Sequence, residues 1–285
     1  MIALPTPQDS PALHPAWLPM AAQARRFVLQ VRPTLPDADP PPAAAPWREA
    51  LALVEKHLPI TRRIVHSGDS VYCDGEPCTL LHIVNSGMVR TVRSSSDGRE
   101  QVVGLHFKGD WLGLDGIASG YFDRDAIAID IGEVWTLRYD ILLRRCTAVP
   151  ALLALMLGAM SRQIVRDGDS LLSLGTLPAD ARVADFLRFW AESLRERELR
   201  ADHIVLRMSR AEIGNALGMT LESVSRALTR MARVGVVCFN EKGRRHISIP
   251  SLDALGEFIK DAAAPSPAAV GGSRAAPAQR VAAAW

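Results

Sequence analysis

Between Ser209 and Val237 the apolar positions fall into two short helical stripes separated by a glycine: SRAEIGNALGMTLESVSRALTRMARVGVV. Ile213, Ala216 and Leu217 form the first, and Val224, Ala227, Leu228 and Met231 form the second, at the spacings of one buried helix face. Ser209 and Glu212 stand three apart, as in a capping box, where the hydroxyl takes an N–H of the first turn and the carboxylate returns the bond. Gly218 offers the left-handed conformation that ends a helix, and Thr220 can N-cap the next one. A turn this tight predicts a helix-turn-helix. After Gly235, VVCFNEKGRRHISI holds two β-like runs around Glu241-Lys242-Gly243-Arg244, the pattern of a hairpin wing.

Upstream the periodicities differ. WREALALVEKHL, residues 47–58, reads as a short amphipathic helix. From Ile60 to about Thr147 the chain is broken into short β-like runs by Gly68, Gly75, Gly87, Gly98, Gly109, Gly120 and Gly132, which suggests a small double-sheet β-roll or jelly roll. From Pro150 to Leu174, the positions Leu153, Leu157, Met160, Ile164, Asp167, Leu171 and Leu174 alternate steps of four and three. That is the seam of a coiled coil, and it predicts a parallel homodimer. Leu152, Leu155 and Met156 offer a second face to the roll. Asp167 interrupts the seam and would face its mate, so Asp167→Ala is expected to tighten the dimer; Gly168 beside it weakens the helix. After Pro178, Val183, Phe186, Leu187, Trp190 and Leu194 line one face of a supporting helix.

These patterns predict an α+β chain. Residues 1–46 form an arm, 47–147 a β-roll resembling cyclic-nucleotide-binding domains, 148–175 a dimerisation helix, 176–260 a winged helix-turn-helix domain and 261–285 a tail. The arm holds eleven of the nineteen prolines, so it and the low-complexity tail are expected to be largely disordered.

Charge sharpens the picture locally. The whole chain carries only +2, but Val205 to His246 contains eight Lys/Arg against three Asp/Glu. On the second helix, Glu222, Ser225, Arg226, Thr229, Arg230 and Arg233 fall within about 150° of one another. A Glu-x-x-x-Arg pair is usually a surface ion pair, but the basic excess and the wing favour double-stranded DNA. Glu222, Ser225 and Arg226 are then the candidates for base edges, and Ser209, Thr220, Thr229, Arg230, Lys242, Arg244 and Arg245 for phosphates. The four cysteines are too scattered for a disulfide framework, and Cys73 and Cys78, which flank a turn with acids nearby, are expected to be ordinary small residues rather than a reversible disulfide. His66, His82 and His106 are dispersed and signal no metal site. No secretory signal or membrane-length apolar run is evident, so a cytoplasmic, non-enzymatic protein is expected.

The order Glu222-Ser223-Val224-Ser225-Arg226, together with HFKGDWLGLDGIASG in the roll, resembles the Crp/Fnr family of bacterial transcription regulators, in its fumarate and nitrate reduction branch. The resemblance covers about residues 50 to 258 and implies TTGAT half-sites. Arg226 would grip guanine, Glu222 the amine of the paired cytosine, and Ser225 a thymine edge. The cyclic-AMP receptor branch has Arg in place of Leu221 and Gly in place of Ser225, so TGTGA should be a poor site. Ser94 to Arg99 resembles the family's hairpin that touches RNA polymerase. In cluster-bearing relatives the arm supplies three cysteines, whereas this arm has none and Trp135 stands in place of the fourth; an iron–sulfur cluster is not expected. The family's nucleotide-binding Gly-Glu and Arg-Ser pairs become Gly113-Leu114-Asp115 and Arg124-Asp125 here, with Asp123 alongside; Asp123 and Asp125 are expected to repel a phosphate and to neutralise Arg124 on the surface, so cyclic AMP is not expected either. Targets in anaerobic or nitrogen-oxide respiration fit, with control by the protein's own abundance. The alternatives are a haem- or thiol-dependent redox sensor of the same family, and a jelly-roll metal enzyme carrying a DNA-binding domain.

Overall fold

A computed structural model describes residues 46–239 and 245–264. The arm, the tail beyond residue 264 and the wing tip with Lys242 and Arg244 lie outside the described residues.

Helix α1 (Pro46–His57) turns Ala50, Leu51 and Val54 inward. Eight strands follow: β1 (Thr61–Val65), β2 (Ser70–Tyr72), β3 (Leu80–Ser86), β4 (Val89–Ser94), β5 (Glu100–His106), β6 (Trp111–Leu112), β7 (Asp125–Ala128) and β8 (Gly132–Arg138), with one 3₁₀ turn at Leu114–Ile117. They form two antiparallel sheets, ordered β1-β8-β3-β6 and β2-β7-β4-β5. The paired Leu81, Ile83, Trp135 and Leu137 lie on one face of the first sheet and the paired Val84 and Val134 on the other, because alternate side chains of a strand point to opposite sides, so β3 and β8 are buried on both faces. Leu81, Ile83, Val84, Val134, Trp135 and Leu137 form the centre of this first core.

Helix α2 (Tyr139–Ala148) and the first turns of α3 (Pro150–Thr176) close the roll through Leu142, Leu152, Met156 and Ala159. Beyond Ser161, α3 has no fully buried residue. Ile164, Leu171 and Leu172 are 70%, 71% and 63% exposed, and Leu157 and Val165 are also open. At 100° per residue, Leu157, Ile164, Gly168, Leu171 and Gly175 lie within about 60° of one another. Val165 and Leu172 flank them on one side; Met160, Asp167 and Leu174 flank them on the other. The open apolar face is therefore wider than the heptad seam and centred to one side of it, on small residues. Asp167 lies near its edge and accepts a bond from Gln163 Nε2 at 2.6 Å.

The third segment contains α4 (Ala179–Glu196), β9 (His203–Val205), α5 (Arg210–Ala216), α6 (Leu221–Arg233), β10 (Cys238–Phe239), β11 (His246–Ser248) and α7 (Leu252–Ala263). Its strands are ordered β10-β11-β9. Val183, Leu187 and Trp190 of α4 pack against Ile213, Val224, Leu228 and Met231 in a second core. That core continues into the roll through Val92, Val102, Leu105, Phe107 and Ile129, and Phe107 meets Trp190 edge-on at 6.2 Å. A buried ion triad ties the three segments together. Asp110, in the β5–β6 turn, pairs with Arg166 of α3 at 3.1 Å and with Arg197, just past α4, at 3.0 Å.

Candidate nucleic-acid interface

The two helices of the turn motif begin as their caps require. Ser209 Oγ accepts from Glu212 N at 3.2 Å, and Glu212 Oε2 accepts from Ser209 N at 2.7 Å, closing the capping box. Gly218 adopts φ +59°. Gly214 lets the following turn pass closely, since a Cβ there would lie 2.6 Å from Met219 O. Thr220 Oγ1 then accepts from Ser223 N at 3.2 Å and starts α6. Arg182 of α4 braces the junction by donating to Leu217 O at 2.8 Å.

With Val224, Ala227, Leu228 and Met231 buried, α6 presents its other face outward. Glu222 and Arg226 are exposed there and Ser225 is half-buried. The Glu222 carboxyl sits below its usual range because it accepts its own N–H and the Thr220 hydroxyl, with the charge of Arg226 adding a smaller pull. Arg226 turns to Ser223, Nη2 to Oγ 3.3 Å, and among the described residues no ion pair joins it to Glu222. Both groups thus keep free bonding capacity.

The flanking candidates divide. Thr229 Oγ1 donates to Ser225 O within the helix at 2.8 Å. Arg230 is ion-paired with Asp180 on α4, which raises its pKa through that hydrogen bond and cancels part of the charge expected to meet phosphate. Ser225, Arg226, Thr229, Arg230 and Arg233 line a shallow cleft of about 270 Å³. Ser209 and Thr220 stand at the helix N-termini as caps, and Arg245 is exposed at the near end of the wing. The Asp180 partner, fifty residues from Arg230, left no signal in local spacing.

Inside the roll, at the positions where the resemblance implies a nucleotide phosphate, a cation is paired with carboxylates. Arg124 Nε lies 2.8 Å from Asp123 and 3.2 Å from Asp115. Burial pushes the Asp115 carboxyl up, while its hydrogen bond with Asp115 holds Asp123 low. Tyr72 and Phe122 stack at 3.9 Å beside this cluster. These residues fit a phosphate ligand poorly, because Arg124 is already shared by two carboxylates and Asp123 also faces Arg93 at 3.8 Å.

Cys73 is exposed against Ser70, whereas Cys78 is buried and donates to Gly113 O at 3.4 Å; both are free thiols. Burial pushes the Cys78 thiol up, and Asp115 adds to the shift. His82 and His106 are buried with pKa values lowered to about 4, chiefly by desolvation. Trp135 is buried and donates to Glu133. Among the described residues no cluster of metal-ligating side chains occurs, and no helix is long and apolar enough to cross a membrane. The Ser94–Arg99 turn is held by Asp97, which accepts from Arg99 Nε at 2.7 Å.

Comparison with known proteins follows this division of the chain. A profile of the Crp-like helix-turn-helix domain matches residues 181–258, and one of the cyclic nucleotide-binding domain matches residues 62–148. The transcriptional regulatory protein btr of Bordetella pertussis is 34% identical over 191 residues, which is 67% of this chain and 79% of that protein. The fumarate and nitrate reduction regulatory protein of Escherichia coli is 29% identical over 206 residues, 72% of this chain and 79% of that one. Among solved structures, FixK2 from Bradyrhizobium japonicum superposes with a TM-score of 0.62 at 29% identity, covering 70% of this chain and 97% of its own.

Proposed function

The chain belongs to the Crp/Fnr family of DNA-binding transcription regulators, and from that premise we propose that it binds inverted repeats with TTGAT-like half-sites as a homodimer. It is a regulator and not an enzyme. The observation that carries the proposed site is the face of α6, where Glu222, Ser225 and Arg226 stand outward on a capped, well-packed helix. Arg226 donates two N–H groups to guanine O6 and N7, Glu222 accepts from the paired cytosine amine, and Ser225 meets the thymine edge. Ser209, Thr220, Thr229, Arg230 and Arg245 contact phosphates, joined by Lys242 and Arg244 of the wing. For Arg230 this requires exchange of Asp180 for a phosphate.

Two such helices enter successive major grooves when a two-fold axis relates them. The open face of α3 supplies that axis: Leu157, Ile164, Leu171 and Leu172 are buried against a second copy, and Gly168 and Gly175 let the helices approach closely. The Ser94–Arg99 hairpin is the surface offered to RNA polymerase. Neither an iron–sulfur cluster nor cyclic AMP is required, which the Asp115–Arg124–Asp123 cluster and Trp135 support. The regulated genes serve oxygen-limited or nitrogen-oxide respiration.

Replacement of Arg226 by alanine tests the base-reading role. Affinity for the matched repeat should fall by about 1–3 kcal/mol, with choice relaxed at the guanine. Equal losses on matched and guanine-substituted sites would assign Arg226 to phosphate instead.

A further inference from the structure

Two residues of α5 bond the roll rather than the recognition helix. The Asn215 side chain spans strand β5: its Oδ1 accepts from Val102 N at 2.6 Å, and its Nδ2 donates to Glu100 O at 2.6 Å. Strand β5 is the outer strand of the sheet β2-β7-β4-β5, so these backbone groups are ones that a further strand would take. A side-chain amide, with one acceptor and two donors, replaces that strand. Gln101 Nε2 donates in turn to the backbone oxygen of Asn215. Next to this clamp, Arg90 of β4 pairs with Glu212, whose other oxygen closes the cap at Ser209. Behind both runs the apolar core shared by roll and reading domain. None of the engaged groups belongs to the base-reading set, and Glu222 and Arg226 remain exposed while the clamp is closed.

We infer that Asn215, supported by the Arg90–Glu212 pair, is a positioning residue that fixes each recognition helix relative to the dimer axis and thereby selects the spacing between half-sites. The inference rests on the reading of α6 proposed above. The geometry of B-DNA makes spacing a sensitive readout. One base pair added at the centre shifts the second half-site by roughly 3.4 Å and turns it by about 34°. A loosely hinged domain follows that shift. A clamped domain must deform the DNA to follow it, which should lower affinity about tenfold or more.

The test uses the full-length protein and three duplexes: a TTGAT inverted repeat with half-site centres about ten base pairs apart, and the same repeat with the spacer one base pair longer or shorter. The wild type should prefer one spacing by about tenfold or more. Asn215→Ala and Arg90→Gln, each checked for native circular dichroism, should bring that preference below about threefold while leaving base selection within a half-site intact. A role confined to stability would lower folding stability or overall affinity and leave the spacing preference unchanged; unchanged preference in both folded variants overturns the inference. Tighter binding of the best-spaced site by either variant overturns it in the opposite sense, showing that the contact holds the reading domain away from DNA. A wild type that ignores the TTGAT sequence altogether refutes the reading of α6, and the inference falls with it.

Discussion

Replacing Asp110 with asparagine should unlock the joint between the roll, the long helix and the reading domain. Asp110 is 6% exposed and accepts from Phe107 N at 2.9 Å while pairing with Arg166 and Arg197. Asparagine keeps the size but removes the carboxylate that pairs with both guanidinium groups, leaving Arg197 the exposed Glu196 at 3.7 Å. Breaking a buried pair from one side costs about 3–5 kcal/mol. The low end applies here. Arg197 retains bonds to Lys108 O at 2.7 Å and Ser193 O at 2.8 Å and lies 5.2 Å over the Phe107 ring, and Arg166 is 26% exposed and can reach water. A loss of about 3 kcal/mol is expected in urea unfolding at neutral pH, measured at fixed protein concentration because dimerisation contributes. The pH dependence has a definite sign. Burial alone raises the Asp110 pKa, but Arg197 and Arg166 outweigh it and bring the value below the ordinary carboxylate range. The stabilisation is therefore complete above the unfolded-state value near ~3.9 and is lost as pH falls through the lower folded value. The gap between wild type and variant should narrow only in that acid range. A loss below about 1 kcal/mol at neutral pH, or a gap that narrows between pH 7 and 5, would refute this account of the triad.

Three further substitutions probe separate parts of the account. A Cβ on Gly168 meets nothing within 4 Å in the single chain, so Gly168→Leu should favour the isolated helix by up to about 1 kcal/mol yet weaken the dimer by about 1–3 kcal/mol through overpacking; sedimentation showing an unchanged or tighter dimer would remove Gly168 from the interface. Asp180→Asn spares Arg230 the exchange of its carboxylate partner for a phosphate and should tighten DNA binding at fixed salt by up to about 1 kcal/mol per protomer, whereas unchanged affinity would mean that Arg230 does not reach a phosphate. Thr220→Ala removes the bond to Ser223 N and should cost about 1 kcal/mol of stability in thermal or urea unfolding; no measurable change would mean that another group caps α6.

The parts of this fold that were legible in the sequence are those encoded within a few residues. The Ser209–Glu212 box, the left-handed Gly218 and the Thr220 cap are local devices, and each lies where its spacing predicts. The strands of the roll followed equally from apolar runs punctuated by glycine. Long-range pairings left no such trace. Asp180 looks like an ordinary first-turn acid until α4 lies beside α6, and Asn215 looks like an ordinary residue at a helix end until β5 passes beside it. On α3 a heptad count weighs large apolar residues, so the seam runs through Asp167 with Gly168 beside it as a switch point or a weak turn. The solvent-open face is centred on Gly168 and Gly175, with Leu171 and Leu172 beside them. In the roll, the sequence set Asp123 and Asp125 beside Arg124, but Asp125 accepts from Asp74 N and the second carboxylate on Arg124 is Asp115.

The most direct test of the central claim is the affinity of aerobically purified, ligand-free protein for a TTGAT inverted repeat, compared at one fixed salt concentration with a TGTGA repeat. The account predicts tight binding that prefers TTGAT by about tenfold or more, the discrimination expected from one or two base contacts per half-site. Equal affinity for the two repeats would contradict the assignment of Glu222, Ser225 and Arg226 as base readers, and selective binding seen only after an added ligand would contradict effector-independent reading.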